Sequence, residues 1–149
     1  MANEPVAVTD FLAELRGQWD GDNVTEPRII EVNNSGTNTQ GFRIDLNQAD
    51  HILGRPSAQS FTEQPIGNWK YGNRTYNLDL ELYTKQSRLN LYNLVREVRK
   101  VCHARMHDLT NFQRMQFMSY SEQSQEQANI WVASVQIQLV NSGVLLETT

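Results

Sequence analysis

Only one cysteine, Cys102, occurs among the 149 residues, so the chain has no internal disulfide, and this usage fits a reducing compartment. No apolar run approaches the ~18 residues needed to cross a bilayer as a helix, which argues against a membrane partner. Residues 1–10 lack both a basic region and an apolar region, so no secretory signal is expected and synthesis is expected inside a cell. Asn23, Asn33 and Asn73 each open a glycosylation-type pattern, which in that setting reads as a polar turn. Phosphate-binding glycine loops are missing as well. There is no GxxxxGK[ST], GxGxxG or GxSxG, and no repeat or low-complexity segment is visible.

A formal net charge of -4 argues against nonspecific gripping of nucleic acid as the main task, because that affinity comes largely from neutralised phosphates. It leaves open a protein past which DNA moves. With 39% hydrophobic residues the chain suits one domain that hides about 70% of its unfolded surface. The 20% charged content fits a soluble protein with extended polar connections.

What is present is concentrated between Arg74 and Val140. Tyr76, Leu78, Leu80 and Leu82 alternate with Asn77, Asp79, Glu81 and Tyr83, the pattern of a strand with one buried and one wet face. Ser87 then opens a helix to about Met106, with Leu91, Leu94, Val95, Val98, Val101 and Cys102 forming a stripe fit to lie on a sheet. Strands are expected at 112–120 and 128–140, around the polar connection Ser121 to Gln127, which should project as a hairpin. In the last strand Trp131, Ala133, Val135, Ile137 and Leu139 share the apolar face.

Upstream, Thr9 or Asp10 can cap a short helix over 9–16, with Phe11, Leu12 and Leu15 on one face and Gly17 as its stop. So short a helix needs packing to persist. Arg28 to Val32 and Phe42 to Leu46 read as two strands, most simply a hairpin. The stretch 47–73 is punctuated by Gly54, Pro56, Pro65, Gly67 and Gly72 yet keeps Phe61, Trp69 and Tyr71; it reads as partly extended strand or as an arm ordered by a partner. Residues 141–149 form a short tail. The expected fold class is α+β: a mostly antiparallel sheet covered by one long amphipathic helix, with the short helix at an edge or interface, in a single domain over 1–149.

Candidate chemistry is sparse. His103 and His107, at i and i+4, lack the HExxH glutamate and a second ligand pair, so no metal and no cofactor are expected; the pair suits a helix C-terminus. No nucleophile, base and acid set emerges, so no catalytic residues are assigned and no enzyme is expected. Arg96, Arg99, Lys100, His103 and Arg105, with Glu97 nearby, make the outer helix face basic. Its ordinary reading is a solvated surface, and its sharper one a contact between subunits with Asp79 and Glu81 of a neighbour as counterparts. A nucleic-acid patch ranks third, since no interleaved aromatics offer stacking platforms.

The run Tyr71-Gly-Asn-Arg-Thr-Tyr-Asn-Leu-Asp-Leu-Glu-Leu-Tyr83, then Ser87-Arg-Leu, the Leu94-Val-Arg-Glu-Val-Arg-Lys-Val101 helix, and two strands with Tyr120 and Trp131 bracketing a polar turn, resembles tail terminator and tail-completion proteins of tailed viruses. The resemblance spans Tyr71 to Val140 and rests on arrangement rather than on an invariant motif. It implies a ring, commonly of six copies, that closes the tail tube, meets the head connector and other neck proteins, and passes genomic DNA without reading its sequence. It also implies a virion location after synthesis in the host cytoplasm. On that pattern the 74–83 and 128–140 strands are ring wall. Phe61, Trp69 and Tyr71 belong to the docking arm, and Gln123 and Glu126 to the hairpin. A head-tail adaptor, a stopper, a tail tube subunit, or a small nucleic-acid-binding module using the basic helix face are the alternatives.

Overall fold

The computed structural model describes residues 7–22, 24–32, 49–66, 71–109, 111–124 and 128–145. Its elements are α1 (Ala7–Gln18), β1 (Arg28–Glu31), β2 (His51–Pro65), β3 (Tyr71–Thr84), α2 (Arg88–Ala104), β4 (Arg114–Glu122) and β5 (Trp131–Leu145). The described strands form one five-stranded sheet in the order β1-β2-β3-β5-β4. Only β1 and β2 pair in parallel; the other three pairs are antiparallel, so the fold is α+β as expected.

Both helices lie on one side of this sheet. The face they cover carries Leu78, Leu80 and Leu82 of β3 and Ala133, Val135, Ile137 and Leu139 of β5, all at most 2% exposed. Register explains the match: Leu78 stands opposite Ile137, Leu80 opposite Val135 and Leu82 opposite Ala133, so the alternating residues of neighbouring strands fall on the same face. Onto these rows α2 lays Leu91, Leu94, Val95, Val98, Val101 and Cys102, each buried. Burial of each large apolar side chain contributes about 1.5–3 kcal/mol. Since β3 and β4 run in the same direction on either side of β5, α2 serves as a crossover between parallel strands.

At the other flank α1 buries Phe11, Leu12 and Leu15 over β1 and β2. It extends beyond the expected 9–16. Thr9 lies inside the helix, where its hydroxyl donates to the Glu31 carboxylate at 2.8 Å instead of capping. The Arg16 guanidinium donates to the Ile29 carbonyl at 2.8 Å, holding the last turn on β1. Beside it a buried polar clasp joins three elements. Asp50 accepts from the Thr84 hydroxyl at 2.7 Å and from the Asn90 side-chain amide at 2.8 Å, while its carbonyl accepts from the Arg28 amide at 2.8 Å.

The stretch 47–73 proves to be sheet over most of its described length. Residues 51–65 are β2, whose start is held by the burial of Ile52 and Leu53 and by the parallel ladder to β1. The register between β2 and β3 shifts between Pro56 and Phe61. Proline lacks the amide that a regular ladder uses, so the interruption falls where pairing is weakest. Among the described residues β1 pairs in parallel with β2; the expected hairpin partner Phe42–Leu46 lies outside the described residues.

Gly54 marks the tightest approach of helix to sheet. A Cβ there would stand 2.8 and 2.9 Å from the two terminal methyls of Leu12, which is fully buried and has little room to give. Gly54→Ala should therefore destabilise the fold by about 1–3 kcal/mol in urea unfolding. Leu12→Ala in the same chain should make the alanine at 54 almost neutral, a coupling that a double-mutant cycle reads directly.

Candidate interaction surfaces

Ser87 caps α2 by accepting from the Asn90 amide at 3.0 Å, which fixes the phase of everything the helix presents outward. Arg96, Arg99, Lys100 and His103 are exposed on it. Lys100 meets Asp20 at 3.6 Å and Arg105 donates to Glu14 at 2.8 Å, both on the α1 side. Arg96 and Arg99 make no ion pair or hydrogen bond among the described residues. Glu97, expected near this basic face, turns inward instead: it is 1% exposed, one oxygen accepting from the Asp20 amide at 3.3 Å and the other without a partner.

The opposite face of the sheet carries Asn77, Asp79, Glu81 and Tyr83 from β3 with Ser134, Gln136 and Gln138 from β5. An open groove of about 230 Å³ runs there, lined by Ser57, Asn77, Asp79, Met118, Gln136 and Gln138 among others. Glu81 is already engaged by an ion pair with Arg55 and accepts from the Tyr83 hydroxyl at 2.5 Å. Asp79 has no such partner among the described residues. Asp79 and Glu81 thus stand on one side of the sheet, and Arg96, Arg99 and Lys100 on the other.

Phe61 is 46% exposed, yet one side of its ring leans on Tyr76 at 5.2 Å, and Tyr76 meets Phe112 edge-on at 5.3 Å. Tyr71 starts β3 opposite Leu145, and the Gln123 amide donates to the Val132 carbonyl at 2.8 Å, continuing the β4–β5 ladder. Trp69 and Glu126 lie outside the described residues.

Sequence reasoning passed over one cluster. Glu122, at the end of β4, accepts from the Arg88 guanidinium at 2.8 Å, from Ser124 at 2.9 Å and from the Tyr92 hydroxyl at 3.2 Å. The Arg88 guanidinium also lies 4.9 Å from the Trp131 ring centre. This clasp ties the first turn of α2 to the base of the β4–β5 connection. Its signal was faint: Arg88 and Tyr92 sit one turn apart, off the apolar stripe, and their partner is 30 or more residues away. Around the clasp Leu89, Tyr92 and Tyr120 are 68%, 41% and 46% exposed.

His107 Nδ1 lies 3.2 Å from the Gln113 carbonyl, and no cluster of three histidine, cysteine or acidic side chains fit for a metal occurs among the described residues. None of the described helices is long and apolar enough to span a membrane. No protein-family model matches the chain, and no curated protein matches it. Among solved structures, a chain from the virion of a native gene transfer agent particle is similar, with 9% identity, a TM-score of 0.49, and coverage of 89% of this chain and 84% of that one.

Two titrations follow from this geometry. Hydrogen bonds from Arg88 and then Ser124 hold the Glu122 carboxyl below the usual range. Its contribution is present above the unfolded carboxylate value and is lost as pH falls through the lower native value. The urea midpoint should accordingly drop more between pH 6 and about pH 3 in the native chain than in Glu122→Gln, by a small margin because the group is exposed. Burial pushes the Cys102 thiol up from 9.0 to about 12. A disulfide reagent at pH 8 should leave Cys102 untouched in the folded protein and titrate it fully in denaturant. The thiol's share of stability should fade as pH rises from about 9 towards 12, a loss that Cys102→Ala abolishes.

Proposed function

We propose that this chain is a structural virion protein of a tailed virus. Copies form a ring, six in the simplest case, at the head-tail neck or the end of the tail tube, as in tail terminators, joining tail to connector and letting DNA pass. The observation that carries this reading is the placement of opposite charge on opposite sides of one layer. Arg96 looks outward from α2 and Asp79 from the far face of the sheet, neither with a partner among the described residues, so they can satisfy each other only between copies. Contacts of that head-to-tail kind close into rings when the rotation closes. The amide-rich sheet face and the acidic net charge of -4 also suit a conduit that does not hold phosphates. The strand and helix arrangement from Tyr71 to Val140, by which the chain resembles tail terminators, supports the same reading.

Native mass spectrometry of the purified chain, alone and with its tail or connector partner, should find closed multi-copy assemblies. A strict monomer under both conditions overturns the proposal. Arg96→Glu and Asp79→Lys should each raise the concentration for half-assembly about tenfold, the scale of one interfacial charge contact. Both changes in one chain should restore assembly, because every altered helix then meets an altered sheet face.

A further inference from the structure

β4 is an edge of the described sheet: β5 pairs with one side of it, and no described strand pairs with the other. Near its start the outer side is tied once, where the Met115 amide donates to the Met106 carbonyl at 2.9 Å. Beyond that point the run Gln116 to Ser121 carries no charge and no proline, the devices that ordinarily blunt an exposed edge. Its one blunting feature is a register shift between Phe117 and Ser119. Past this shift Tyr120 stands opposite Val135, which places it on the helix side of the sheet. It shares that side with Tyr92 of α2, and both are exposed.

The helix supplies the second half of this strip. Arg88 and Tyr92 both reach Glu122, so this flank of α2 overlooks β4, and α2 runs antiparallel to it. At 3.6 residues per turn Arg99 falls within about 20° of Arg88, on the same flank and towards the start of β4. Arg99 is exposed and has no described partner, and Glu122, at the far end of the same flank, is taken by Arg88. The strip is therefore an open row of backbone donors and acceptors with aromatic rings at one end and unneutralised arginine at the other.

We infer that the β4 edge receives an extended segment of another polypeptide, apolar where it passes Tyr92 and Tyr120 and carboxylate-bearing where it passes Arg99. The segment adds a sixth strand to the described sheet. Its backbone completes the ladder, and alternate side chains meet the helix flank. A second β4 is a poor occupant, since it would bring a second Arg99 flank and no free carboxylate. Nucleic acid can use the arginine and the rings but cannot pair with a strand edge. The inference does not depend on ring assembly and is tested at a protein concentration where the chain is a single species.

The probes are the capped heptapeptide Glu-Thr-Glu-Thr-Val-Thr-Val, whose alternate side chains are carboxylates at one end and apolar at the other, and its counterpart with lysine in place of glutamate, with amide hydrogen exchange of Phe117 to Ser121 as readout. The acidic peptide at saturation should slow the outward amides by about tenfold or more, and the basic one should not. Arg99→Glu, a surface change, should abolish the protection by the acidic peptide and confer it on the basic peptide, which separates loss of recognition from loss of fold. The proposal is overturned if neither peptide protects these amides, if both protect them equally, or if Arg99→Glu leaves the preference unchanged. It is also overturned if protection rises with protein concentration alone, which assigns the edge to a second copy, or if a single-stranded oligonucleotide shifts the Arg99 and Tyr92 signals while the acidic peptide does not.

Discussion

The packing of the α2 stripe on the leucine and valine rows of β3 and β5 sets what every other surface of this protein can be. Once Leu91, Leu94, Val98 and Val101 are committed to that contact, the helix has no freedom of rotation, because turning it by one residue would bury arginine and expose leucine. The basic face, the inward Glu97 and the Arg88 flank over β4 are consequences of that one phase. The sheet is equally committed. A strand whose odd and even residues face opposite ways cannot slip by one position without exchanging Leu78, Leu80 and Leu82 for Asn77, Asp79 and Glu81.

Confinement of both helices to one side leaves an uneven molecule. One side is two layers deep and apolar between them; the other, among the described residues, carries amides, hydroxyls, two carboxylates and the Arg55 guanidinium that pairs with Glu81. A bare antiparallel face can be solvated without cost to the core, so its polarity by itself demands no partner. Asp79 and Arg96 are more telling, since each lacks a described partner and they point away from each other. The molecule also uses polar clasps at places where elements end. Asp50 joins β2, β3 and α2 at one corner, and Glu122 joins α2, β4 and the neighbourhood of Trp131 at another. Both act through side-chain hydrogen bonds, and Asp50 adds one backbone bond from the Arg28 amide to its carbonyl.

Much of this was legible beforehand, and the pattern of success is physical. β3, α2 and the apolar face of β5 were found within a few residues because one-sided burial writes a period of 2 or 3.6 into the chain. The long β2 was not resolved from an arm, because its glycine and two prolines are the residues that usually mark loops, and its irregularity lies between Pro56 and Phe61. Gly54 is there for Leu12, a contact across more than 40 residues that no local pattern encodes. The same holds for the site. The basic face is legible in α2 alone, whereas the burial of Glu97 depends on the Asp20 amide 77 residues away, which charge type does not reveal.

From its residues alone this chain specifies its elements, the faces those elements bury and the absence of any familiar catalytic pattern, since each is a property of neighbours along the chain. Tertiary structure decided strand order, with β5 inserted between β3 and β4. It also decided the parallel pairing of β1 with β2, and which exposed side chains share a surface. Those depend on contacts between residues far apart in sequence, where many pairings satisfy the same local pattern and the close fit of the shared core selects among them.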